Sequence, residues 1–289
     1  MKDRLSLNFK TRLCAVIGNP VSHSMSPAIH NAGYAALDLD FAYLPCQVED
    51  VKGMLDGMRA MHNFRGLSVT IPHKVTAMKY VDEVVAADRI IGSINTIVKE
   101  DGKLIGMGTD GPGALKALND AGVKLDGKIV LLLGCGGAAR AIAFTLAQKT
   151  ALAELSMLDI NGEMLRGLTA DLQANTGAQI SSELLDDASL ARAMGRADVV
   201  IHCTPIGMHP KEDASLVPAE LFRPGQAVLD IVYNPLQTKL LADAEARGLQ
   251  TISGVEMFIN QAVLQFEIFT GGPAPEEVMR RVVMENLSK

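Results

Sequence analysis

Short runs of apolar residues alternate with longer stretches of mixed polarity along the whole chain. In the first third, these runs predict strands at residues 14–18, 41–46, 67–70, 93–98 and 103–107. Helices are predicted at residues 27–37, in the stretch that ends near residue 61, and after residue 72. Pro27 and Pro72 each stand where a helix would begin, and proline is favoured in the first turn of a helix. The pattern therefore predicts a first block of α/β structure.

A second block of the same kind follows residue 110. It contains predicted helices at residues 111–121 and 138–148 and predicted strands at residues 129–133, 155–158, 198–202 and 228–232. The first of these strands is an uninterrupted apolar run, which is typical of a parallel strand that is buried on both faces. Regular alternation of strands and helices predicts a doubly wound α/β sheet of the Rossmann type.

The end of the chain predicts a long amphipathic helix. Its apolar residues have the spacing of three and four that marks one helical face: Val255, Phe258, Ile259, Ala262, Val263 and Phe266. We expect the C-terminal helices to pack against the first block. The 289 residues then form two domains, an α/β domain of residues 1–110 and 255–289 and a Rossmann-type domain of residues 111–254.

Composition and charge narrow the classes of function. Apolar residues make up 48% of the chain and aromatic residues only 4%, which suits helices packed on a sheet better than an aromatic-lined groove. The net charge of -6 disfavours a nucleic-acid binder, which needs a basic surface. The four cysteines lack metal-ligand spacing, so we expect buried thiols and no metal site. A polar N-terminus and the lack of a long apolar segment predict a cytoplasmic protein without membrane contact.

A glycine-rich turn predicts a dinucleotide site. The strand at residues 129–133 runs into residues 134–139 (GCGGAA), and a helix is predicted to follow. In this context the first glycine permits a tight turn, the second allows the backbone to approach a pyrophosphate, and Ala139 permits close packing of helix and strand. A glycine-rich turn without a ligand is the alternative. The candidate cofactor-binding residues are Gly134, Gly136, Gly137 and Ala138.

Asp159 ends the next predicted strand, 25 residues after Gly134. An acidic residue near this separation binds the adenosine ribose hydroxyls in Rossmann domains. Capping of the helix that begins near Gly162 is an alternative role, and the two roles are compatible.

Seven further segments occur in an order that points to one family. They are residues 18–27 (GNPVSHSMSP), 68–74 (SVTIPHK), 91–96 (IGSINT), 108–111 (GTDG), 204–208 (TPIGM), 230–235 (DIVYNP), and Gly254 with Gln261 and Ala262. Together they resemble the shikimate/quinate dehydrogenase family from about residue 14 to residue 271. Each segment alone is a weak signal, whereas the ordered set identifies the family.

The resemblance implies a reversible dehydrogenase of the kind that serves aromatic amino acid biosynthesis, and the sequence leaves a biosynthetic or a catabolic role open. Members oxidise a ring hydroxyl of shikimate or quinate to the 3-dehydro ketone and pass a hydride to NAD or NADP, in a cleft between the N-terminal and Rossmann domains. It implies that Lys74 and Asp110 are catalytic and that Asn95 also surrounds the reacting hydroxyl. A homodimer is also expected. The other residues carried over are Ser24 and Ser26 for the substrate carboxylate, Ser68, Thr70, Tyr233 and Gln261 for the rest of the substrate pocket, and Thr204, Ile231 and Gly254 for the cofactor.

The chemistry of these residues agrees with the assignment but leaves alternatives open. Ser24 and Ser26 precede a helix start at Pro27 and could form an anion site or act only as helix caps. A solvated lysine is a poor base at neutral pH. Lys74 could therefore take the hydroxyl proton, or it could stabilise the alkoxide as a hydrogen-bond donor that Asp110 orients.

Three positions depart from the family pattern. Ser68 stands where the family has asparagine, Gly108 replaces another asparagine, and His202 and Cys203 replace Asn-Ala before Thr204. Serine is shorter than asparagine and has one donor where asparagine has two, so quinate, aminoshikimate or another relative could be the better substrate. His202 is either a site residue or a histidine packed at the end of a strand.

The segment after the second Rossmann strand bears on cofactor choice. NADP-using relatives carry Asn-Arg-Thr there, whereas this chain has Asp159, Ile160 and Asn161, with the nearest arginine at Arg166. Because a carboxylate repels a 2′-phosphate, we expect NAD rather than NADP.

Two other functions stay open from the sequence. One is a dehydrogenase of another small polyol acid, and the other is a nucleotide-binding sensor that has lost turnover. The presence of both Lys74 and Asp110 favours an enzyme, because a sensor has no need of a proton-handling pair.

Overall fold

The structure, a computed structural model, describes residues 7–22 and 24–288. These residues form two compact units. Unit 1 contains the described residues up to Thr109 and from Gln261 onward, and unit 2 runs from Asp110 to Asn260. The domain boundaries expected from the sequence were 110/111 and 254/255. The second division of the structure, at 260/261, therefore lies six residues later in the chain.

Unit 1 is built on a mixed six-stranded sheet. Its strands are β1 (Arg12–Gly18), β2 (Phe41–Gln47), β3 (Phe64–Val69), β4 (Glu83–Val84), β5 (Thr96–Glu100) and β6 (Lys103–Met107). The order across the sheet is β2-β1-β3-β5-β6-β4. Strand β1 is parallel to β2 and β3, whereas β5 is antiparallel to β3 and β6. The carboxyl ends of β1, β2 and β3 therefore lie at one edge of the sheet.

In the N-terminal part of unit 1 that the structure describes, the strands are accompanied by the helices α1 (Ser26–Ala36), α2 (Val51–Ala60), α3 (Lys74–Ala77) and α4 (Ala86–Ile91). Helix α2 begins after Asp50 because the Asp50 carboxylate accepts a hydrogen bond from the Gly53 N–H at 2.9 Å. Leu55 and Met58 of this helix are buried in a core with Leu67 of β3. Burial of each such side chain contributes about 1.5–3 kcal/mol.

Unit 2 is a parallel doubly wound sheet. Its strands are β7 (Ile129–Leu133), β8 (Glu154–Asp159), β9 (Ile180–Leu184), β10 (Val199–His202), β11 (Ala227–Asp230) and β12 (Gln250–Ile252), and its helices are α5 (Asp110–Asp120), α6 (Gly137–Lys149), α7 (Gly162–Asn175), α8 (Asp187–Met194) and α9 (Lys239–Ala246). The order is β12-β11-β10-β7-β8-β9, with every pair parallel. This order is that of a Rossmann fold, in which ligands bind at the carboxyl ends of the strands near the switch point between β7 and β10.

Two helices end the chain, α10 (Gly254–Thr270) and α11 (Glu276–Leu287). The apolar face predicted from the spacing is buried at Val255, Ile259, Ala262 and Phe266. In unit 1, Arg65 donates hydrogen bonds to the backbone oxygens of Phe269 at 2.9 Å and Ile268 at 3.3 Å. The C-terminal part of α10 is therefore packed against the first block of the chain.

The predicted two-domain α/β architecture is confirmed. The strand predicted at residues 228–232 ends two residues early, at Asp230, because the Asp230 carboxylate accepts the Val232 N–H at 3.0 Å and the chain turns there. The strand predicted at residues 93–98 begins only at Thr96. Six elements were not predicted: β4, α4, β9, α8, α9 and β12. Among the described helices, none combines the length and apolar character that a membrane crossing requires.

Candidate functional site

The glycine-rich turn of unit 2 lies at the carboxyl end of β7. Gly134 has a φ of +100°, which favours glycine, and its N–H donates to the Leu158 carbonyl at 2.8 Å. Helix α6 begins at Gly137, so its unpaired N–H groups start beside the turn. A side-chain carbon added at Gly136 or Gly137 would meet no atom within 4 Å, so the backbone can be approached closely. The turn therefore has the properties of a pyrophosphate site.

The carboxylate of Asp159 ties this turn to the end of β8. Its Oδ2 accepts the Cys135 N–H at 2.6 Å, and its Oδ1 accepts the Asn161 N–H at 2.7 Å. A carboxylate has about four lone-pair sites, so further hydroxyl donors can still bind. The cap of α7 is Asn161 and not Asp159, since the Asn161 Oδ1 accepts the N–H groups of Glu163 and Met164, both at 3.1 Å. Capping of that helix is therefore not the role of Asp159.

Two arginines of unit 2, Arg140 and Arg166, are candidates to bind a phosphate group of the cofactor near the start of α7. The Arg140 Nη2 pairs with the Asp171 carboxylate at 2.5 Å, so the charge of Arg140 already has a partner. Arg166 lies closer to the start of α7, because a side-chain carbon added at Gly162 would lie 3.0 Å from the Arg166 Nη1. Arg166 therefore places a positive charge against the first turn of that helix.

Three further cofactor candidates, Thr204, Ile231 and Gly254, lie after the carboxyl ends of β10, β11 and β12 respectively. The Thr204 side chain packs against the glycine-rich turn, since a carbon added at Gly134 would lie 3.0 Å from the Thr204 Cγ2. A carbon added at Gly254 would lie 2.6 Å from the carbonyl carbon of Ile231, a separation too short for any side chain. The structure therefore brings Thr204 to the turn and Gly254 to Ile231.

Unit 2 also carries two residues that the resemblance places at the substrate. Tyr233 stacks on Phe258 with ring centroids 4.8 Å apart, and burial raises the pKa of the Tyr233 hydroxyl. This hydroxyl is therefore neutral at physiological pH and can donate a hydrogen bond. Asp110 is half-buried at the first residue of α5, where the helix dipole favours a negative charge.

In unit 1, backbone hydrogen bonds connect three of the substrate candidates. The Val69 N–H donates to the Asn95 carbonyl at 2.8 Å, and the Ile94 N–H donates to the Lys74 carbonyl at 3.1 Å. Thr70 follows Val69 directly. The segment before β5 therefore holds Thr70, Lys74 and Asn95 as neighbours at the carboxyl end of β3.

The amide of Asn95 holds the residue that precedes Asp110. Its Oδ1 accepts the Thr109 N–H at 2.8 Å, and its Nδ2 donates to the Thr109 Oγ1 at 3.0 Å. The Gln261 Oε1 lies 3.5 Å from the same Thr109 hydroxyl. Asn95, Thr109 and Gln261 are all buried. Asn95 therefore fixes the peptide that leads into Asp110.

Ser24 and Ser26 lie at the N-terminal end of α1. The Ser24 Oγ accepts the Ser26 N–H at 3.3 Å, and a hydroxyl that accepts in this way can still donate its hydrogen to an anion. Ser26 is buried in the first turn, with its side chain near the Tyr43 hydroxyl. The position immediately before the helix, Met25, supplies no side-chain cap. Only Ser24 thus bonds a backbone amide, as a helix-capping serine would.

Ser68 is buried in a chain of side-chain hydrogen bonds. The Tyr43 hydroxyl donates to the Ser68 Oγ at 2.5 Å, and the Ser68 hydroxyl donates to the Gln265 Oε1 at 2.7 Å. The Gln265 Nε2 donates in turn to the Thr96 Oγ1 at 2.9 Å. The hydrogen of Ser68 is therefore used inside unit 1.

Sequence reasoning missed Tyr43 and Gln265. Gln265 stands four residues after Gln261 on α10, and residues four apart lie on the same helical face. That spacing was the available signal for Gln265. Tyr43 sits in an apolar strand, where the sequence does not distinguish a hydrogen-bonding tyrosine from a packing one. No group of three or more possible metal ligands occurs among the residues that the structure describes.

Two family models match the chain. One, described as the shikimate dehydrogenase substrate binding domain, matches residues 16–97. The other, described as the shikimate 5'-dehydrogenase C-terminal domain, matches residues 254–284.

Relatives are similar over nearly their whole length. The shikimate dehydrogenase (NADP(+)) of Moorella thermoacetica is 41% identical over 286 residues, which cover 97% of this chain and 95% of the relative. The solved shikimate 5-dehydrogenase of Listeria monocytogenes, in complex with shikimate and NAD, is 33% identical with a TM-score of 0.91, covering 96% of this chain and 98% of that one. The quinate dehydrogenase of Corynebacterium glutamicum, in complex with NAD, is 27% identical with a TM-score of 0.88, covering 95% of this chain and 99% of that one.

Proposed function

Because the chain belongs to the shikimate dehydrogenase family, we propose that it reversibly oxidises a ring hydroxyl of shikimate, or of a close analogue such as quinate, to the 3-dehydro ketone. The hydride passes to a nicotinamide dinucleotide. The observation that carries the proposal is the buried amide of Asn95, which holds Thr109 directly before Asp110. The preceding residue, Ile94, is bonded to the backbone of Lys74.

Oxidation of an alcohol releases a proton as well as a hydride, and we assign the proton to Lys74 and Asp110. A bound dinucleotide supplies the hydride acceptor. Lys74 supplies an N–H donor that stabilises negative charge on the substrate oxygen, and Asp110 supplies a carboxylate that can accept a proton. Acid–base groups of this kind contribute a factor of about 10²–10⁴ to the rate.

The substrate carboxylate is assigned to Ser24 and Ser26. The support is their position at the N-terminal end of α1, where hydroxyls and unpaired amides favour an anion. The ring hydroxyls are assigned to Thr70, Asn95, Tyr233 and Gln261. Ser68 acts indirectly in this proposal, because its hydroxyl is bonded between Tyr43 and Gln265.

The dinucleotide is assigned to unit 2, at Gly134, Gly136, Gly137, Ala138, Asp159, Thr204, Ile231 and Gly254. We propose that NAD is preferred to NADP. The support is the Asp159 carboxylate, which two backbone N–H groups hold at the end of β8. A 2′-phosphate there would meet a fixed negative charge, whereas ribose hydroxyls would meet an acceptor. The Listeria relative was solved with NAD, and the Moorella relative is named for NADP(+).

One set of assays tests the proposed function. Dinucleotide reduction is followed with shikimate and with quinate in parallel, each with NAD and with NADP. Turnover of at least one of the two acids supports the proposal. If neither acid is oxidised with either dinucleotide although the protein is folded, the assignment of this activity is wrong.

We further propose that the enzyme works in the cytoplasm. The support is that the four cysteines are unpaired, which suits a compartment that keeps thiols reduced. Cys14 and Cys135 are buried, as expected from the sequence, and burial raises the pKa of each thiol to about 12. Cys46 and Cys203 are only partly buried, which corrects that expectation for these two. The homodimer stays a prediction that light scattering would test against the 30.8 kDa mass of one chain.

A further inference from the structure

His202 ends β10 and is bonded on both sides of its ring. Its Nδ1 lies 2.9 Å from the Asp230 Oδ1, and its Nε2 lies 2.5 Å from the Thr204 Oγ1. The side chains of His202 and Asp230 are 1% and 0% exposed. The sequence left His202 open as a site residue or a packed histidine, and the structure places it in contact with a candidate cofactor residue.

Asp230 determines which ring nitrogen carries the hydrogen. Its carboxylate also accepts the Val232 N–H at 3.0 Å and the Thr238 hydroxyl at 2.6 Å. Because a carboxylate only accepts, the Nδ1 that faces it must be the N–H of the imidazole. In the neutral ring the Nε2 is then without hydrogen and can only accept.

With a neutral His202 ring, the hydrogen of Thr204 is directed at the His202 Nε2. The Thr204 Oγ1 also accepts the Ile206 N–H at 3.3 Å. A hydroxyl has one hydrogen and two lone pairs, so one lone pair remains. The Thr204 side chain packs against Gly134, the first glycine of the dinucleotide turn.

We propose that His202 is a positioning residue for dinucleotide binding, which makes the Thr204 hydroxyl a hydrogen-bond acceptor toward the dinucleotide. The partner is a donor group of the cofactor, such as a ribose hydroxyl or the carboxamide amino group. The inference rests on the proposed function, which puts the dinucleotide at this turn. An amide at position 202 could instead donate to Thr204 and free its hydrogen, so His202→Asn should reverse the polarity of the hydroxyl.

A double-mutant cycle on binding tests the inference. Titration followed by the fluorescence of the reduced nicotinamide gives the Kd of NADH, and of NADPH in parallel, for the wild type, His202→Asn, Thr204→Val and the double variant. His202→Asn should raise the Kd about 3- to 10-fold, the effect of one lost hydrogen bond. In the Thr204→Val background the same change should alter the Kd less than about 2-fold, because the hydroxyl through which it acts is gone. The matched control is the exposed His62→Asn, which should leave the Kd unchanged.

Each outcome of the cycle has one meaning. An equal increase with and without the Thr204 hydroxyl would show that His202 acts only on the fold, and an unchanged Kd would also overturn the inference. If the wild type binds neither NADH nor NADPH, the proposed function itself fails and the inference fails with it.

The ring hydrogen can also be observed directly in the wild type, so the test does not depend on a variant that folds. In protein labelled with ¹⁵N-histidine, correlations between ring nitrogens and carbon-bound protons report which nitrogen is protonated. Two described histidines have Nδ1 beside a carboxylate, because the Nδ1 of the exposed His209 lies 2.8 Å from the Glu212 Oε1. The His202 signal is therefore the carboxylate-bonded one that remains in His209→Asn, and it should have hydrogen on Nδ1 and none on Nε2. Hydrogen on Nε2 would overturn the inference.

Discussion

His30 stacks on Tyr43 with ring centroids 4.4 Å apart and an angle of 8° between the rings. Among the described residues, neither ring nitrogen of His30 has a hydrogen-bond partner. Complete burial lowers the pKa of His30 to about 3. The Tyr43 hydroxyl bonds to Ser68, so His30 packs against a ring that belongs to the buried hydrogen-bond chain of unit 1.

This burial predicts an acid-dependent loss of stability. In the unfolded chain His30 takes up a proton near pH 6.5, whereas in the folded chain it does so only near pH 3. The stability linked to His30 is therefore present above pH 6.5 and is lost as the pH falls, by up to about 1.4 kcal/mol per pH unit. Urea unfolding at pH 7, 6, 5 and 4 should show a steeper loss for the wild type than for His30→Leu. The exposed His62→Leu is the control, and equal slopes for the wild type and His30→Leu would contradict this account.

Lys74→Ala and Asp110→Ala should each reduce kcat by a factor of about 10² or more, because each removes a proposed proton-handling group. Far-UV circular dichroism and the melting temperature should change little, since both side chains are only half-buried. Lys79→Ala, an exposed lysine in the same region, is the control and should keep its activity. Near wild-type turnover by Lys74→Ala on the best substrate would remove the role assigned to Lys74.

Asn95→Ala should reduce both stability and turnover. It removes the hydrogen bonds to Thr109 and leaves buried groups unpaired, at a cost of about 2–4 kcal/mol in the free energy of unfolding. Because the Thr109 peptide that leads into Asp110 would no longer be held in position, kcat should fall as well. Asn63→Ala is the matched control, because Asn63 donates one bond to the Thr11 carbonyl and lies away from these residues in sequence. A normal kcat for folded Asn95→Ala would show that Asn95 does not position the catalytic region.

Variants of Ser24 and Ser26 should affect substrate binding, whereas a variant of Ser68 should affect the stability of the fold. The double variant Ser24→Ala, Ser26→Ala should raise the KM for the acid substrate with little change in kcat, because each hydroxyl lost from a carboxylate costs about 1.5–3 kcal/mol in both ground and transition states. Ser68→Ala should instead lower the free energy of unfolding by about 1–3 kcal/mol, since Tyr43 and Gln265 lose their partner. Steady-state kinetics tests the KM of the double variant, and urea unfolding of the same preparations tests the stability of Ser68→Ala. An unchanged KM for the double variant would leave Ser24 and Ser26 with structural roles alone.

The sequence predicted the features that short-range patterns encode. The strand β7, the turn at Gly134 and the start of α6 form a contiguous signal, and their arrangement follows from local geometry. The segments that identify the family were also readable, and the family is confirmed. The partners of Asp159 and His202 were not readable, because the Cys135 N–H and the Asp230 carboxylate lie 24 and 28 residues away in the chain. Such pairs depend on the order of strands in the sheet, which the sequence does not state.

Ser68 shows the same limit for the substrate side. Comparison of Ser68 with the family's asparagine indicated a side chain of shorter reach. Its hydrogen-bond acceptor, Gln265, is 197 residues away in the chain, so the sequence alone did not reveal this contact. The two-residue strand β4 and the edge strand β12 were missed because such short elements carry too little periodicity to register.

The most direct test of the central claim is steady-state kinetics of the purified enzyme with NAD and NADP at matched concentrations of its best acid substrate. If the fixed Asp159 carboxylate binds the adenosine ribose as proposed, the kcat/KM for NAD should exceed that for NADP by at least about 100-fold, equivalent to about 3 kcal/mol. Asp159→Asn should narrow this ratio, and Arg166→Ala should leave the kcat/KM for NAD nearly unchanged. An equal or larger kcat/KM for NADP in the wild type would contradict the role of Asp159, and Arg166 would then be the residue to examine as the phosphate ligand.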